Sequence, residues 1–257
     1  MARLIPHGHP TFYRQDIELS TFVLIHGAWH GGWCWSRVAR RLRAQGHEVH
    51  APTLAGMGEH AHLLNRQITL DTHVDDVVGA IETRELTDVV LVGHSYGCII
   101  ITGAADRLHG SGRLARMVYV DGAVPRDGDG WYSSHTAPAR EARNRSALDA
   151  GGLFLPTPDA AVFGIADPDD LAWVARRLRP HPYGTYLSPL RLPNLAQGQG
   201  AAALPRTYID CVKPFYSDFN GVKQRVKADP AWRYLEIQTG HDAMVSAPVE
   251  LAGLLND

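Results

Sequence analysis

Residues 89–100 read Val89-Val90-Leu91-Val92-Gly93-His94-Ser95-Tyr96-Gly97-Cys98-Ile99-Ile100. The apolar run predicts a strand over residues 88–92, of the continuous kind a parallel sheet buries on both faces. Apolar residues resume at Cys98 and predict a helix over residues 98–108. Between them stands Gly-x-Ser-x-Gly, the pattern of a strand-to-helix elbow that carries a nucleophile. Such a turn is so tight that the residues two before and two after the serine must be small, and both are glycine. It lifts the Ser95 hydroxyl clear of the sheet and aims the helix N-terminus at the reacting atom.

Outward from this stretch, strands alternate with helices. Residues 21–26 form a short apolar strand that ends at Gly27. Residues 35–45 form a helix with Val38, Ala39 and Leu42 on one face and arginines on the other, and Gly46 at its end. Residues 47–53 form a strand that Pro52 stops. Asp71 reads as the N-cap of a helix that turns Val74, Val77, Val78 and Ile81 inward. Strands follow at residues 116–120, 206–211 and 233–237, and a last helix at 248–255. This alternation predicts an α/β fold with a mostly parallel, doubly wound sheet. Residues 129–202 break the rhythm and show no strand. They read as a helical cap inserted between core segments 20–128 and 203–257, behind an N-terminal extension at 1–19.

Composition narrows the function. At 257 residues the chain suits one domain with an insertion. A net charge of -2 gives no basic face for nucleic acid or an anionic membrane. The apolar runs are far too short to span a bilayer, and the N-terminus has no apolar stretch of signal-peptide length. Three cysteines without paired spacing (Cys34, Cys98, Cys211) predict free buried thiols and a reducing, cytoplasmic setting. Of the 25 basic residues only Lys213, Lys223 and Lys227 are lysine, which reads as codon bias.

Fourteen histidines raise the question of metal. His26 and His30 are four apart, and His60 and His62 flank one residue. His47-Glu-Val-His50 is one residue short of the zincin motif and lies on a strand. Zinc needs three or four convergent ligands, so no metal is expected. Gly56-Met-Gly58 is too short for a dinucleotide fingerprint, and no cofactor is expected.

A serine nucleophile needs a base to take its proton. His241, in Gly240-His241-Asp242 after the last strand, has the required place in the order Ser…acid…His. The oxyanion hole should combine the N–H groups of Tyr96 and of Ala28, in the loop after the first strand. His26 reads as a structural residue that holds that loop.

Residues 24–35 (Leu-Ile-His-Gly-Ala-Trp-His-Gly-Gly-Trp-Cys-Trp), 90–97 (Val-Leu-Val-Gly-His-Ser-Tyr-Gly) and 240–244 (Gly-His-Asp-Ala-Met) resemble the α/β-hydrolase superfamily. They are most similar to the branch holding plant methylesterases, hydroxynitrile lyases and bacterial carboxylesterases. The resemblance covers the core and is weak over the cap. It implies cofactor-free ester hydrolysis through an acyl-serine intermediate. Related hydroxynitrile lyases carry Thr and Lys where this chain has Gly27 and Asp242, which disfavours lyase activity.

The same branch places its acid near the position of Pro214, which cannot serve. Some α/β-hydrolases, several haloalkane dehalogenases among them, take the acid from the end of the strand that Asp121 closes here. Asp121 is therefore favoured, with Asp218 the alternative. Asp210 precedes its strand end and should point away from the histidine.

The expected function is a serine carboxylesterase acting on a mid-sized apolar or aromatic ester, such as a methyl ester or a lactone. Trp29 and Trp131 are the expected substrate-facing residues. The cap aromatics either line an apolar pocket or hold the cap down, and no periodicity separates the two. The alternatives are a triad turned to C–C cleavage, lyase or cyclase chemistry, and a ligand-binding protein on a hydrolase scaffold. The partner is a small-molecule ester, and a homodimer stays open.

Overall fold

A computed structural model describes residues 19–214, 216 and 219–257. Residues 1–18 of the expected extension and Asp218, the alternative acid, lie outside the described residues. Strands β1 (Thr21–Ile25), β2 (Glu48–His50), β3 (Val89–His94) and β4 (Leu114–Val120) alternate with helices α1 (Ser36–Ala44), α2 (Leu70–Glu82) and α3 (Gly97–Arg107). The chain then leaves the sheet. It forms α4 (Ala137–Asp149), β5 (Phe154–Leu155), α5 (Pro168–Ala175), β6 (His181–Pro182) and α6 (Tyr183–Leu187), with short 3-10 turns between. It returns through β7 (Arg206–Cys211), α7 (Asn220–Ala228), β8 (Trp232–Ile237), α8 (Ala243–Ser246) and α9 (Pro248–Asn256).

Six strands form one sheet in the order β2-β1-β3-β4-β7-β8, each neighbouring pair parallel. The chain moves outward from β1 to β2, then crosses back to lay β3 on the other side of β1. The strand order therefore reverses between β1 and β3. In open α/β sheets, ligands bind beyond the carboxyl ends of the strands at such a point. Every residue of β3 is buried, as is α3 from Gly97 to Asp106. The elbow thus joins two fully buried stretches of the core.

Local chemistry shifts some boundaries. Helix α2 is capped by Thr69, not Asp71. The Thr69 hydroxyl accepts from Thr72 N–H, and Thr69 N–H donates back to Thr72 Oγ1 at 3.1 Å, a reciprocal capping box. Asp71 falls in the first turn, where its charge suits the helix dipole and pairs with Arg107 of α3. The second strand is trimmed to three residues by Pro52. The stretch 129–202, read as strandless, contains one antiparallel pair, β5 with β6, of two residues each. A strand that short carries no readable alternation.

Candidate active site

Ser95 follows β3 directly, and its N–H donates to Val120 O at 3.0 Å, one step past the ladder. Its φ is +54°, a left-handed conformation costly for a residue with a Cβ and frequent at functional sites. The flanking glycines make the turn possible. A Cβ on Gly93 would lie 2.7 Å from Gly97 O, and one on Gly97 would lie 2.6 Å from Ile25 O. The Cys98 thiol donates to Gly93 O at 3.0 Å across the turn. Cys34, Cys98 and Cys211 are all free and buried.

Asp121 follows β4 in the same way, with its N–H donating to Ile209 O at 2.8 Å and a φ of +44°. Its Oδ2 lies 2.6 Å from Nδ1 of His241, which sits beyond the end of β8. Burial pushes the Asp121 carboxyl up, but His241 and the Lys223 ammonium outweigh it and hold it below the usual carboxylate range. Asp210 turns away from His241, toward Lys223 and the Tyr234 hydroxyl.

The Asp121 contact fixes the His241 tautomer. Nδ1–H donates to the carboxylate, which leaves Nε2 with the basic lone pair. The His241 carbonyl accepts from His94 Nε2 at 2.9 Å, and the Tyr216 ring stacks on the imidazole at 4.0 Å between centroids. Ser95 and His241 line one small cavity. Among the described residues the Ser95 hydroxyl makes no hydrogen bond. Catalytic contacts of this kind commonly tighten only when substrate is bound.

Ala28 and Tyr96 border that site. Among the described residues neither N–H donates to a protein acceptor, so both are available to an oxyanion. A Cβ on Gly27 would meet His94 Nδ1 at 2.9 Å and Ser95 Cβ at 3.1 Å, so the loop needs glycine to come this close. His26 supports the loop from below. Its Nδ1–H donates to Gly27 O at 2.8 Å, while Nε2 accepts from Leu54 N–H at 3.1 Å. Burial lowers its pKa to about 3. His30 Nδ1 donates to Ala28 O at 2.7 Å, and its Nε2 reaches Asp242 Oδ2 at 3.0 Å. Among the described residues no group of three His, Cys, Asp or Glu is placed to hold a metal ion. No helix among them is long and apolar enough to cross a membrane.

The cavity at Ser95 has a volume of about 10 Å³ and opens beside an outer one of about 450 Å³. Trp29, Arg143, Phe163 and Tyr216 line both. Trp131 lines the inner one and packs edge-on against Trp29 at 5.5 Å. The Arg143 guanidinium lies 5.6 Å from each tryptophan ring. The aromatics of residues 129–202 divide between the two expected roles. Trp131 and Phe163 face the cavity, whereas Tyr183 and Tyr186 stack on each other and Trp173 packs on Trp33.

Several residues here escaped the sequence reading. Lys223 reads in the sequence as codon bias, but the fold buries it between Asp121 and Asp210. Its rarity in an arginine-rich chain was the one available signal. In the sequence Asp242 stands out only as the absence of a lysine, and His30 only as a histidine four residues from His26. Arg143 and Tyr216 carried no signal at all.

The fold, the serine elbow and the histidine beyond the last strand define a class. The model of the alpha/beta hydrolase family matches residues 22–254, and the chain belongs to that family. Among its relatives is a carbendazim hydrolyzing esterase from Nocardioides sp. (strain SG-4G), 41% identical over 91% of this chain and 97% of that protein. Methyl jasmonate esterase 1 from Vitis vinifera is 25% identical over 92% of this chain and 95% of its own. An extracellular alpha/beta-hydrolase from a Paenibacillus species superposes with a TM-score of 0.79 at 23% identity, covering 92% of this chain and 97% of that one. That last likeness is one of fold.

Proposed function

We propose that the chain is a serine carboxylesterase that cleaves methyl esters of bulky aromatic acids. The observation that carries the reading is the 2.6 Å Asp121–His241 contact, made behind the cavity that His241 shares with Ser95. His241 Nε2 takes the Ser95 hydroxyl proton as Oγ attacks the ester carbonyl carbon. The oxyanion is met by the Ala28 and Tyr96 N–H groups. The carbonyl carbon–alkoxy bond breaks, and the imidazolium returns its proton to the departing alcohol. Water repeats the sequence on the acyl-serine and frees the acid. Asp121 stays ionised and holds the imidazolium in place.

Two cavities support this choice of substrate class. The inner cavity, about 10 Å³, is at the lower limit for a single water, which favours the smallest alcohol group beside Ser95. The outer cavity, walled by Trp29, Phe163 and Tyr216, suits a flat acyl group. On this reading residues 129–202 are the cap that shapes both compartments. The named activities of the Nocardioides and Vitis relatives are ester hydrolyses, which supports the same reaction type.

The test is a panel of methyl and larger-alkyl esters of aryl acids, assayed with wild type and Ser95→Ala. Methyl esters are expected to be preferred by about tenfold or more, the worth of a few methylenes in a fixed pocket. Ser95→Ala is expected to abolish turnover. No ester hydrolysis by the wild type, or full turnover by Ser95→Ala, overturns the reading.

A further inference from the structure

The side chain of Lys223 projects from α7 into the core behind Asp121. It is 4% exposed, the Asp121 side chain 0% and the Asp210 side chain 7%. Its Nζ lies 2.6 Å from Asp121 Oδ1 and 2.6 Å from Asp210 Oδ1. It also reaches Cys211 O at 3.5 Å. The two Asp121 oxygens are therefore divided, Oδ2 to His241 and Oδ1 to Lys223, with a longer bond to Oδ1 from Cys211 N–H at 3.4 Å. Asp210 is anchored on its far side by the Tyr234 hydroxyl. The imidazole and the three charged groups form one row, His241–Asp121–Lys223–Asp210, running from the cavity into the sheet. The other titratable groups near Asp121 are Cys98 of α3, Tyr208 and Cys211 of β7, and His94 of β3. Burial holds the three acidic ones neutral and keeps the imidazole uncharged.

A buried ammonium is expensive unless it is paired. A lysine tucked behind a carboxylate that already has a histidine partner needs a reason. Two carboxylates sharing a site within about 5 Å repel, and one is driven to protonate. A shared cation removes that conflict. It lets the chain carry an ionised acid at the end of β4 although Asp210 lies on the neighbouring strand.

We infer that Lys223 is a positioning residue that keeps Asp121 ionised and aimed at His241 by neutralising Asp210 beside it. The inference rests on the esterase reading of the site. It makes a prediction that packing alone does not. Lys223→Met leaves Asp121 and Asp210 opposed, and the damage is relieved by removing the second carboxylate rather than by restoring any bulk.

The experiment compares wild type, Lys223→Met, Asp210→Asn and the double variant K223M/D210N on an aryl methyl ester. Folding is checked in each by circular dichroism and thermal melting. Lys223→Met is expected to lose about 100-fold or more in kcat with KM within about threefold, because the missing interaction acts on the transition state. The double variant is expected to recover at least tenfold of that loss. If Lys223→Met folds and keeps its kcat, or if the double variant is no better than Lys223→Met, the inference is wrong. Should Lys223→Met fail to fold, Lys223→Arg decides, since arginine keeps the charge in a changed shape. It is expected to retain at least a tenth of kcat, and a dead but folded Lys223→Arg contradicts a role for the charge. Absence of hydrolysis in the wild type is the separate failure of the esterase reading.

Discussion

His30 and Asp242 form a fully buried ion pair, Nε2 to Oδ2 at 3.0 Å, that fastens the loop carrying Ala28 to the segment carrying His241. Both ring nitrogens of His30 face acceptors, Ala28 O and the Asp242 carboxylate, so the ring holds two protons. Burial lowers the His30 pKa, but the Asp242 charge outweighs it and leaves it raised. Burial likewise raises Asp242, and His30 outweighs that to leave it lowered. Removing one partner from a buried pair strands the other charge, at about 3–5 kcal/mol. Asp242→Asn is expected to lose that much in urea denaturation at pH 6, while Asp242→Leu combined with His30→Leu loses less. Equal losses would show that packing, not charge, matters here.

The same pair sets a pH window for stability. A raised histidine contributes fully below its ordinary 6.5 and ceases to as pH climbs through its folded value. A lowered carboxylate contributes fully above its ordinary 3.8 and ceases to as pH falls through its folded value. The stability gap between wild type and Asp242→Asn should therefore be widest between pH 3.8 and 6.5 and narrow on either side. Urea titrations across this range check it, and a gap that keeps widening above pH 7 contradicts it.

Asp121 and Asp218 make opposite predictions as the triad acid. Asp121→Asn is expected to cut kcat by about 10⁴, the effect of an acid that no longer holds its histidine in the right tautomer. Asp218→Asn should stay within about threefold of wild type, as befits a residue outside the acid's role. Steady-state kinetics on an aryl methyl ester separates them, and the reverse ranking moves the acid to Asp218.

Phe163 closes the inner cavity over His241, with its ring 6.3 Å from the imidazole. Phe163→Ala should enlarge that compartment and reduce the preference for methyl over butyl esters by about tenfold, consistent with 1–3 kcal/mol per methylene-sized misfit. An unchanged preference in a folded variant would place the alcohol group elsewhere.

Much of the frame of this site is local in sequence and therefore legible. The elbow is twelve consecutive residues whose glycines, apolar run and serine all serve one turn. His241 follows from chain order after the last strand, Asp121 from the resemblance to hydrolases that take their acid from this strand end, and in the structure the two lie beyond strand ends, 2.6 Å apart. What could not be read depends on long-range pairing of side chains. Lys223 meets Asp121 from 102 positions away, and Asp242 meets His30 from 212 away. Neither partner has a motif, because an ion pair needs only opposite charges brought together by the fold. Thr69 displaced Asp71 as a helix cap for a smaller reason. Both are good capping residues, and only the reciprocal bond to Thr72 separates them.

The most direct measurement is the intact mass of the protein after exposure to a fluorophosphonate, followed by peptide mapping. The account predicts one adduct per chain, located on Ser95, formed slowly or not at all by Asp121→Asn and absent from Ser95→Ala. No adduct on the folded wild type, or an adduct that persists in Ser95→Ala, would contradict it.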